Sequence, residues 1–193
     1  MLSFKESLKI LKETDALIEG HFILSSGLHS DKYIQCAKLL SKPQKAKDLC
    51  QSLAEKIKEN FNDFNLVLSP AIGGIVIGYE IGRLLNVETI FAERVNKIFQ
   101  LRRGFEIKKN HKILIVEDVI TTGKSSLECS VLAEKLGAEI VGFASLIDRS
   151  NGKSKINKKI ISQVQIEIPT FTEEDIPEKI KRIKATKPGS RDL

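Results

Sequence analysis

The sequence predicts an α/β fold in which a central, mostly parallel sheet is flanked by helices. Short aliphatic runs alternate with stretches of helical periodicity along most of the chain, and this alternation favours parallel strands joined by helices. A length of 193 residues with 41% hydrophobic content suits one domain with a sizeable core. The apolar runs all fall short of the roughly 18 residues needed to span a bilayer. We therefore expect a single domain over residues 1–193.

The first half of the chain begins with helical periodicity and then alternates between strands and helices. The predicted elements are a helix at 4–18, a strand at 21–24, a turn at 25–27, a helix at 43–60, a strand at 66–69, and a helix from the 70–74 loop to about residue 85. Gly20 is expected to end the first helix, and Pro43 suits the first turn of the second. Residues 33–40 fit neither period clearly.

The second half is dominated by strands. The predicted elements are strands at 88–91, 112–117, 139–148 and 160–168, a helix at 125–136, and a helix start at 172–175. Residues 92–110 carry much charge and little periodicity, which is typical of a functional or disordered loop. The last forty residues break the alternation and are expected to cover an edge of the sheet.

The chain has a net charge of +6, and its basic residues concentrate in two clusters. The clusters are Lys153, Lys155, Lys158 and Lys159, then Lys179, Lys181, Arg182, Lys184, Lys187 and Arg191. Aromatic residues make up only 6% of the chain and do not interleave with either cluster, so a surface that stacks nucleic-acid bases is not expected. A solvated basic face and attraction of an anionic small molecule both explain the charge.

Cysteine and histidine usage points to a reducing compartment without a metal site. Cys36, Cys50 and Cys129 form no CxxC pair and are odd in number, which is typical of reduced thiols in the cytoplasm. The three histidines lack the spacing of metal ligands, and the N-terminus carries charge too early for a secretory signal. We expect a cytoplasmic protein with no membrane partner.

The most informative segment is residues 113–125, with the sequence ILIVEDVITTGKS. Its aliphatic start predicts a buried strand that ends at two adjacent acids, Glu117 and Asp118. A small, hydroxyl-rich turn at 121–125 then leads into a helix. Acids suit ribose hydroxyls or a metal, and free N–H groups at a helix start suit a phosphate. The segment predicts a site for a phosphorylated sugar.

Spacing excludes two other phosphate-binding motifs. A Walker A loop needs a glycine five residues before Gly123, where this chain has Asp118. A dinucleotide fingerprint is absent too, because no GxGxxG follows a predicted strand. Ser125 and Glu128 could instead form an ordinary capping box. Capping and phosphate binding use the same N–H groups, so both interpretations stay open.

The segment from Val116 to Gly123 resembles the phosphoribosyl pyrophosphate (PRPP) signature of the type I phosphoribosyltransferases. The wider pattern is similar to the orotate-specific branch of that family. Further matches are residues 20–27 with Ser30 and Tyr33, residues 102–105 after Glu93 and Arg94, and residues 147–149. The resemblance implies the type I fold, with a small hood formed by about residues 1–40 and part of the C-terminal segment.

The resemblance also implies a reaction. Ribose 5-phosphate would pass from PRPP to N1 of orotate, giving orotidine 5′-monophosphate and pyrophosphate in pyrimidine (UMP) biosynthesis. A family member for another base, such as adenine or xanthine, is one alternative, and a PRPP-sensing regulator of the same fold is another. Arg149 favours orotate, because a guanidinium can grip its carboxylate with two parallel hydrogen bonds.

The resemblance assigns roles residue by residue. The PRPP-binding set is Glu117, Asp118, Val119, Ile120, Thr121, Thr122, Gly123, Lys124, Ser125, Gly73 and Arg94. The orotate-binding set is Thr121, Arg149, Ser26, Gly27 and Tyr33. Glu117 and Asp118 would hold the ribose hydroxyls, and both belong with Lys97 to the catalytic group.

Residues 92–110 would form a mobile active-site loop that reaches the neighbouring subunit of a homodimer. Lys97 in this loop would act on the leaving pyrophosphate, with Arg102 and Arg103 as substitutes. Mg²⁺ would be held mainly by PRPP and water, without direct protein ligands. Ser25 and Gly73 stand where many relatives carry lysine, which shifts the burden to Arg94, Lys97 and Mg²⁺.

Overall fold

The computed structural model describes residues 1–24 and 26–188. Ser25, and Arg191 of the second basic cluster, lie outside the described residues. In chain order the elements are α1 (Phe4–Glu13), β1 (Leu17–Ile23), β2 (His29–Ile34), α2 (Cys36–Leu40), α3 (Pro43–Asn60), β3 (Leu66–Pro70), α4 (Gly73–Leu85), β4 (Glu88–Val95), β5 (Ile98–Leu101), β6 (Lys112–Ile120), α5 (Lys124–Lys135), β7 (Glu139–Asp148), β8 (Ile160–Gln165), β9 (Thr170–Phe171) and α6 (Glu178–Lys181).

The main sheet has six strands in the order β5-β4-β3-β6-β7-β8. Every neighbouring pair is parallel except β4 with β5, which confirms the predicted fold class. Parallel strands are covered on both faces and therefore consist of near-continuous apolar runs. The carboxyl ends of β3, β4, β6 and β7 share one edge of the sheet, and the loops that follow them carry the candidate site.

The core forms two hydrophobic clusters, one on each face of the main sheet. Leu114 and Val116 of β6 join the cluster that includes residues of α1, α3 and α4. Ile113 and Ile115 point the other way, into the cluster that includes Cys129 of α5. Alternation along the central strand thus fixes which helices lie on which side, as period-two geometry requires.

A second sheet forms the hood, with the strand order β1-β2-β9 and antiparallel pairing throughout. Thr186 adds an isolated parallel bridge to Phe22 on the outer edge of β1. The hood is therefore built from both the N-terminal and the C-terminal segments. In the part of the chain that the structure describes, no helix has the length and apolar character to cross a membrane.

The prediction of one helix over residues 4–18 was wrong. The helix ends at Glu13, and Leu17 begins a strand. Thr14 caps the helix by donating its N–H to the carbonyl of Ile10, and Asp15 then adopts a left-handed conformation with φ of 57°. A left-handed residue cannot continue a right-handed helix, so Gly20 lies inside β1 and ends no helix.

The first part of the segment 92–110, which was expected to be a loop, is a β-hairpin. β4 continues to Val95, and β5 returns antiparallel to it over four residues. Asn96 and Lys97 form the two-residue turn, with φ of 49° and 68°, and two such positive values are typical of hairpin turns that match strand twist. Asn-Lys is a weaker turn signal than Asn-Gly, which is why the hairpin escaped prediction.

Two other expectations near the C-terminus need correction. The strand predicted at 160–168 ends at Gln165. The helix start predicted at 172–175 is a turn, in which the Thr172 hydroxyl donates to Asp175 at 2.8 Å, and the short α6 begins only at Glu178. A threonine followed three residues later by an acid produces the same local hydrogen bond in a turn as at a helix start.

Helix α4 packs closely on the sheet through glycines at four-residue spacing. Gly74, Gly78 and Gly82 are all buried and lie on one face of the helix. A Cβ atom added at Gly78 would lie 2.0 Å from the Ser69 hydroxyl, and one added at Gly82 would lie 2.8 Å from the Val87 carbonyl oxygen. Because α4 begins at the edge that carries the site, these contacts fix the position of its N-terminus.

We expect Gly82→Ala to destabilise the protein by about 1–3 kcal/mol. Alanine favours a helix interior by about 1 kcal/mol over glycine, but the backbone oxygen of Val87 cannot move aside, and such overpacking costs more. Urea unfolding would measure the difference. Lys47→Ala, at an exposed position of α3, is the matched control and should stay near wild type; equal stability of both variants would contradict the close packing.

Candidate active site

The candidate site lies where β3, β6 and β7 end beside each other. β6 delivers Glu117 and Asp118 and ends at Ile120, and β7 ends one residue before Arg149. Ile120 is buried and contributes its backbone, because its carbonyl accepts the N–H of Arg149 at 2.8 Å. The strand that carries the acids is thus tied directly to the start of the segment that carries the arginine.

The turn after β6 has the properties of an anion site. Helix α5 begins at Lys124 with Gly123 as its N-cap. The Thr122 hydroxyl accepts from the Lys124 N–H at 3.3 Å, and no side chain of the described residues caps the N–H groups of Ser125 and Ser126. Uncapped N–H groups at a helix start, together with the helix dipole, attract a phosphate. The alternative capping box of Ser125 and Glu128 is therefore not formed. Thr121, Thr122 and Lys124 around this turn are exposed.

Gly123 is required by both backbone geometry and space. Its φ is 76°, a conformation that favours glycine. A Cβ atom there would lie 2.8 Å from Cγ1 of Ile156. The same segment also holds the turn by a backbone bond from Lys155 N–H to the Thr122 carbonyl at 3.1 Å. Residues 154–156 therefore support the turn at residues 121–125.

Glu117 is partly buried and accepts a hydrogen bond from the fully buried hydroxyl of Ser126. Burial raises the pKa of Glu117 to about 7, because removal from water disfavours the charged form. The Ser126 hydroxyl counteracts this shift, neighbouring Asp118 adds to it, and Arg94 opposes it. Glu117 can therefore hold or release a proton near neutral pH.

Asp118 lies against the start of α4. Burial raises its pKa, and the bond from the Val119 N–H to Asp118 Oδ1 at 2.9 Å counteracts this. A Cβ atom added at Gly73 would lie 2.8 Å from both Asp118 carboxylate oxygens. Any side chain at position 73 would displace this carboxylate, which gives a physical reason for glycine where the resemblance expects lysine.

Arg149 has an unsatisfied guanidinium. Its Nε atom is buried and has no hydrogen-bond partner among the described residues. Burial lowers its pKa, and nearby Tyr33 counteracts the effect. A buried N–H donor without a partner is costly, and a ligand carboxylate would relieve that cost. Because Tyr33 belongs to β2, this arginine faces the hood.

The hood presents an exposed turn between β1 and β2. Gly27 has φ of 83° and open space where a Cβ atom would point, and its N–H donates to the Leu24 carbonyl at 2.9 Å. Ser26 is exposed and accepts weakly from the Leu28 N–H at 3.4 Å. The Tyr33 ring packs against Phe22 with centroids 5.8 Å apart, so the predicted base contacts belong to one hairpin.

Two of the cations on and beside the β4–β5 hairpin, Arg94 and Arg103, are held by contacts with other residues, unlike cations in a free loop. Arg94 donates to the Lys97 carbonyl at 2.9 Å, pairs with Glu128 of α5, and stacks 4.1 Å from the Phe99 ring centre. Arg103 forms a bidentate pair with Glu93 at 2.9 and 3.0 Å. Lys97 lies at the hairpin tip. A contact of any of these with pyrophosphate stays a prediction.

Sequence reasoning missed three contacts that shape the site. They are the bond from Ser126 to Glu117, the pairing of Glu128 with Arg94, and the position of Ile156 against Gly123. Ser126 carried a usable signal, because it is a polar residue on the inward face of a helix that follows two acids. Ile156 carried none, because its contact with Gly123 joins two distant parts of the chain. In the described part of the chain, no three histidine, cysteine or acidic side chains cluster as metal ligands would.

Comparison with known proteins identifies a family. The model of the phosphoribosyl transferase domain matches residues 38–179. An orotate phosphoribosyltransferase from Carboxydothermus hydrogenoformans is 45% identical over 183 residues, covering 95% of this chain and 96% of that protein. One from Erythrobacter litoralis is 45% identical over 188 residues, with 97% of each chain covered.

Solved structures share the fold. Orotate phosphoribosyltransferase from Aeropyrum pernix matches with a TM-score of 0.72 and 22% identity over 82% of this chain and 92% of that one. Adenine phosphoribosyltransferase from Thermoanaerobacter pseudethanolicus matches with a TM-score of 0.60 and 17% identity over 70% and 88%. At these identities the similarity concerns the fold alone.

The raised pKa of Glu117 predicts a pH dependence of stability. Between its ordinary value of 4.5 and about 7, the folded protein holds a proton that the unfolded chain releases. The free energy of unfolding should therefore fall as pH rises through this window. Glu117→Gln should remove on the order of 2 kcal/mol of that fall, measured by urea unfolding from pH 4.5 to 8.

Glu88→Gln, at an exposed position of β4, is the matched control and should follow the wild-type profile. Parallel profiles for Glu117→Gln and wild type would show that burial does not raise the pKa of Glu117.

Proposed function

The chain belongs to the phosphoribosyl transferase domain family, and we propose that it is an orotate phosphoribosyltransferase. It transfers the ribose 5-phosphate group of PRPP to N1 of orotate, which gives orotidine 5′-monophosphate and pyrophosphate in pyrimidine biosynthesis. Relatives that are 45% identical over nearly the whole chain bear this name. The observation in the site that favours orotate over other bases is the buried, unpartnered Nε of Arg149.

PRPP fits the edge formed by β6 and α5. The N–H groups at the start of α5 and the hydroxyls of Thr121 and Thr122 suit the 5-phosphate. Glu117 and Asp118 can accept hydrogen bonds from the 2′- and 3′-hydroxyls of the ribose, and they accept most strongly when they are ionised. The pyrophosphate would then face the 70–74 loop, where Gly73 allows close approach of the backbone.

Orotate fits between this edge and the hood. The guanidinium of Arg149 can bind the orotate carboxylate, and the backbone of Ser26 and Gly27 can contact the ring. Tyr33 is the candidate for stacking, because its ring already packs at 5.8 Å against Phe22 within the same hairpin. Thr121 lies at the end of β6, between the two substrates.

The reaction needs no protein nucleophile, because N1 of orotate attacks C1′ of the ribose directly. The protein contributes orientation of the two substrates and electrostatic stabilisation of the charge that develops on the leaving pyrophosphate. Glu117 and Asp118 stabilise the electron-poor ribose in the transition state. Closure of the hood and hairpin over the substrates would exclude water, which otherwise competes with orotate.

Mg²⁺ is the proposed cofactor. The two adjacent carboxylates at the end of β6 fit a hydrated cation carried by PRPP better than a protein-bound one, because the described residues include no cluster of three potential ligands. When bound, the ion would neutralise part of the pyrophosphate charge. Glu117 and Asp118 would hold it through water and the ribose hydroxyls.

A homodimer is the proposed assembly. Ile72, at the N-cap of α4, is 86% exposed, and Val76 and Tyr79 within the helix are 52% and 65% exposed. An exposed apolar stripe of this kind marks an interaction surface. It begins beside the 70–74 loop, so a partner seated there could bring its hairpin, with Lys97 at the tip, to this site. The three buried, free cysteines support a cytoplasmic location.

The experiment that tests the function is a panel of free bases. The protein is mixed with Mg²⁺, PRPP and orotate, adenine or xanthine, and pyrophosphate release is measured. Only orotate should react, because it alone carries a carboxylate for Arg149. Turnover of adenine or xanthine at a comparable rate would overturn the assignment.

Arg149→Ala should raise the KM for orotate by about 10- to 100-fold, the scale of a lost charge-assisted hydrogen-bond partner. The KM for PRPP should change little. Asp118→Asn is the complementary variant and should damage use of PRPP. An unchanged KM for orotate in Arg149→Ala would remove this residue from the base site.

Val76→Asp should dissociate the dimer, because a charge would be buried in the apolar interface. Light scattering should give twice the 21.6 kDa chain mass for wild type and a single chain mass for the variant. Val131→Asp changes an exposed valine of α5 and is the control that should remain dimeric. A wild-type monomer at micromolar concentration would contradict the assembly.

A further inference from the structure

The hairpin that carries the base-binding turn is bordered on both edges by the C-terminal part of the chain. β9 pairs with β2 on one edge, with Ser30 opposite Thr170. On the other edge Thr186 bridges to Phe22 in parallel. The exposed turn at Ser26 and Gly27 therefore extends from a hairpin that distant residues hold on each side.

Backbone hydrogen bonds define the outer edge of β1. The Ile23 N–H donates to the Thr186 carbonyl at 2.8 Å, and the Thr186 N–H donates to the His21 carbonyl at 2.9 Å. These bonds lie on either side of Phe22, in the pattern of a parallel ladder. The segment of residues 183–186 is thus fastened to the outer edge of β1 by a single parallel bridge at Thr186.

The side chain of His21 makes a second connection between the β1–β2 hairpin and the C-terminal segment. Its Nδ1 lies 3.0 Å from the Ile183 carbonyl, and its Nε2 lies 2.7 Å from Nδ1 of His29. A carbonyl only accepts hydrogen bonds, so His21 Nδ1 carries the proton. The Nε2 of a neutral His21 then accepts from His29. His21 is only 7% exposed. Its ring joins β1, β2 and the C-terminal segment.

These contacts lie close to the proposed orotate site. His29 is the register partner of Ile23 at the end of β1, so the two strands are joined by histidines just before and just after the turn. Phe22, next to His21, packs its ring on Tyr33, and Tyr33 is near enough to Arg149 to influence its pKa. A shift of the hairpin would move the turn and Tyr33 together relative to Arg149.

We propose that residues 183–186, held by His21, position the base-binding hairpin against Arg149 and so determine orotate affinity. This inference rests on the proposed function. His21 is a positioning residue, because both nitrogens of its ring are engaged within the hood, by the Ile183 carbonyl and by His29. The PRPP contacts come from β6, α5 and the 70–74 loop, which belong to the other sheet, so they should not depend on His21.

The test compares the KM of each substrate in three variants. His21→Phe keeps a ring of similar size but removes both hydrogen bonds, and we expect its KM for orotate to rise about tenfold with the KM for PRPP unchanged. His21→Asn keeps an N–H donor near the Nδ1 position for the Ile183 carbonyl and should recover part of the loss. His111→Phe changes a histidine outside the hood and is the control.

The outcomes separate this role from general instability. An unchanged KM for orotate in His21→Phe, or an equal rise for both substrates, would overturn the positioning role. Thr186→Pro provides a second route that leaves His21 intact, because proline deletes the N–H donated to the His21 carbonyl. It should show the same selective rise.

Wild-type turnover is measured first, because absence of orotate turnover would overturn the proposed function itself. Turnover by wild type with unaltered His21→Phe kinetics would overturn only the role of His21.

Discussion

The partial burial of two adjacent carboxylates at the end of the central strand is the constraint on which the rest of the site depends. Desolvation raises the pKa of both Glu117 and Asp118, so each needs compensation from its surroundings. Ser126 donates to the first acid, and the absence of a side chain at Gly73 leaves room for the second. The two acids therefore constrain where α4 and α5 begin, because Gly73 is the first residue of α4 and Ser126 lies in the first turn of α5.

Arg149, on the other side of the site, is a positively charged group that also needs compensation from its surroundings. Arg149 holds a buried Nε without a partner among the described residues, so folding leaves an unfavourable positive site facing the hood and unfavourable acids beside it. In the proposed function, the ribose hydroxyls of PRPP would relieve the acids and the carboxylate of orotate would relieve the arginine. In the proposed function, the free energy that desolvation of these groups costs the free protein would be recovered as binding energy and selectivity for the substrates.

The layers and the turn between β6 and α5 could be predicted from local sequence, but the contacts between distant segments could not. The limits of α3 and β7 were predicted correctly because their apolar periods are unbroken. The end of α1 was not, because Ile18 continues the helical spacing by coincidence after a left-handed Asp15. The bond between Thr186 and His21 spans 165 positions, and no periodicity reports such a contact.

Residues 92–101 form a hairpin of β4 and β5 and not a free loop, and this difference affects how the site can close. β4 pairs with β3 only as far as Ala92, so the hairpin beyond it can bend as one unit about that point. Arg94 ties it to Glu128 of α5, whereas Arg103 pairs with Glu93 on the hairpin itself. Partly exposed pairs of this kind contribute about 1 kcal/mol or less. We propose that a pyrophosphate replaces Glu128 as the partner of Arg94 at little cost. Closure would then consist of a bend of the hairpin and an exchange of anions, with no folding of a disordered segment.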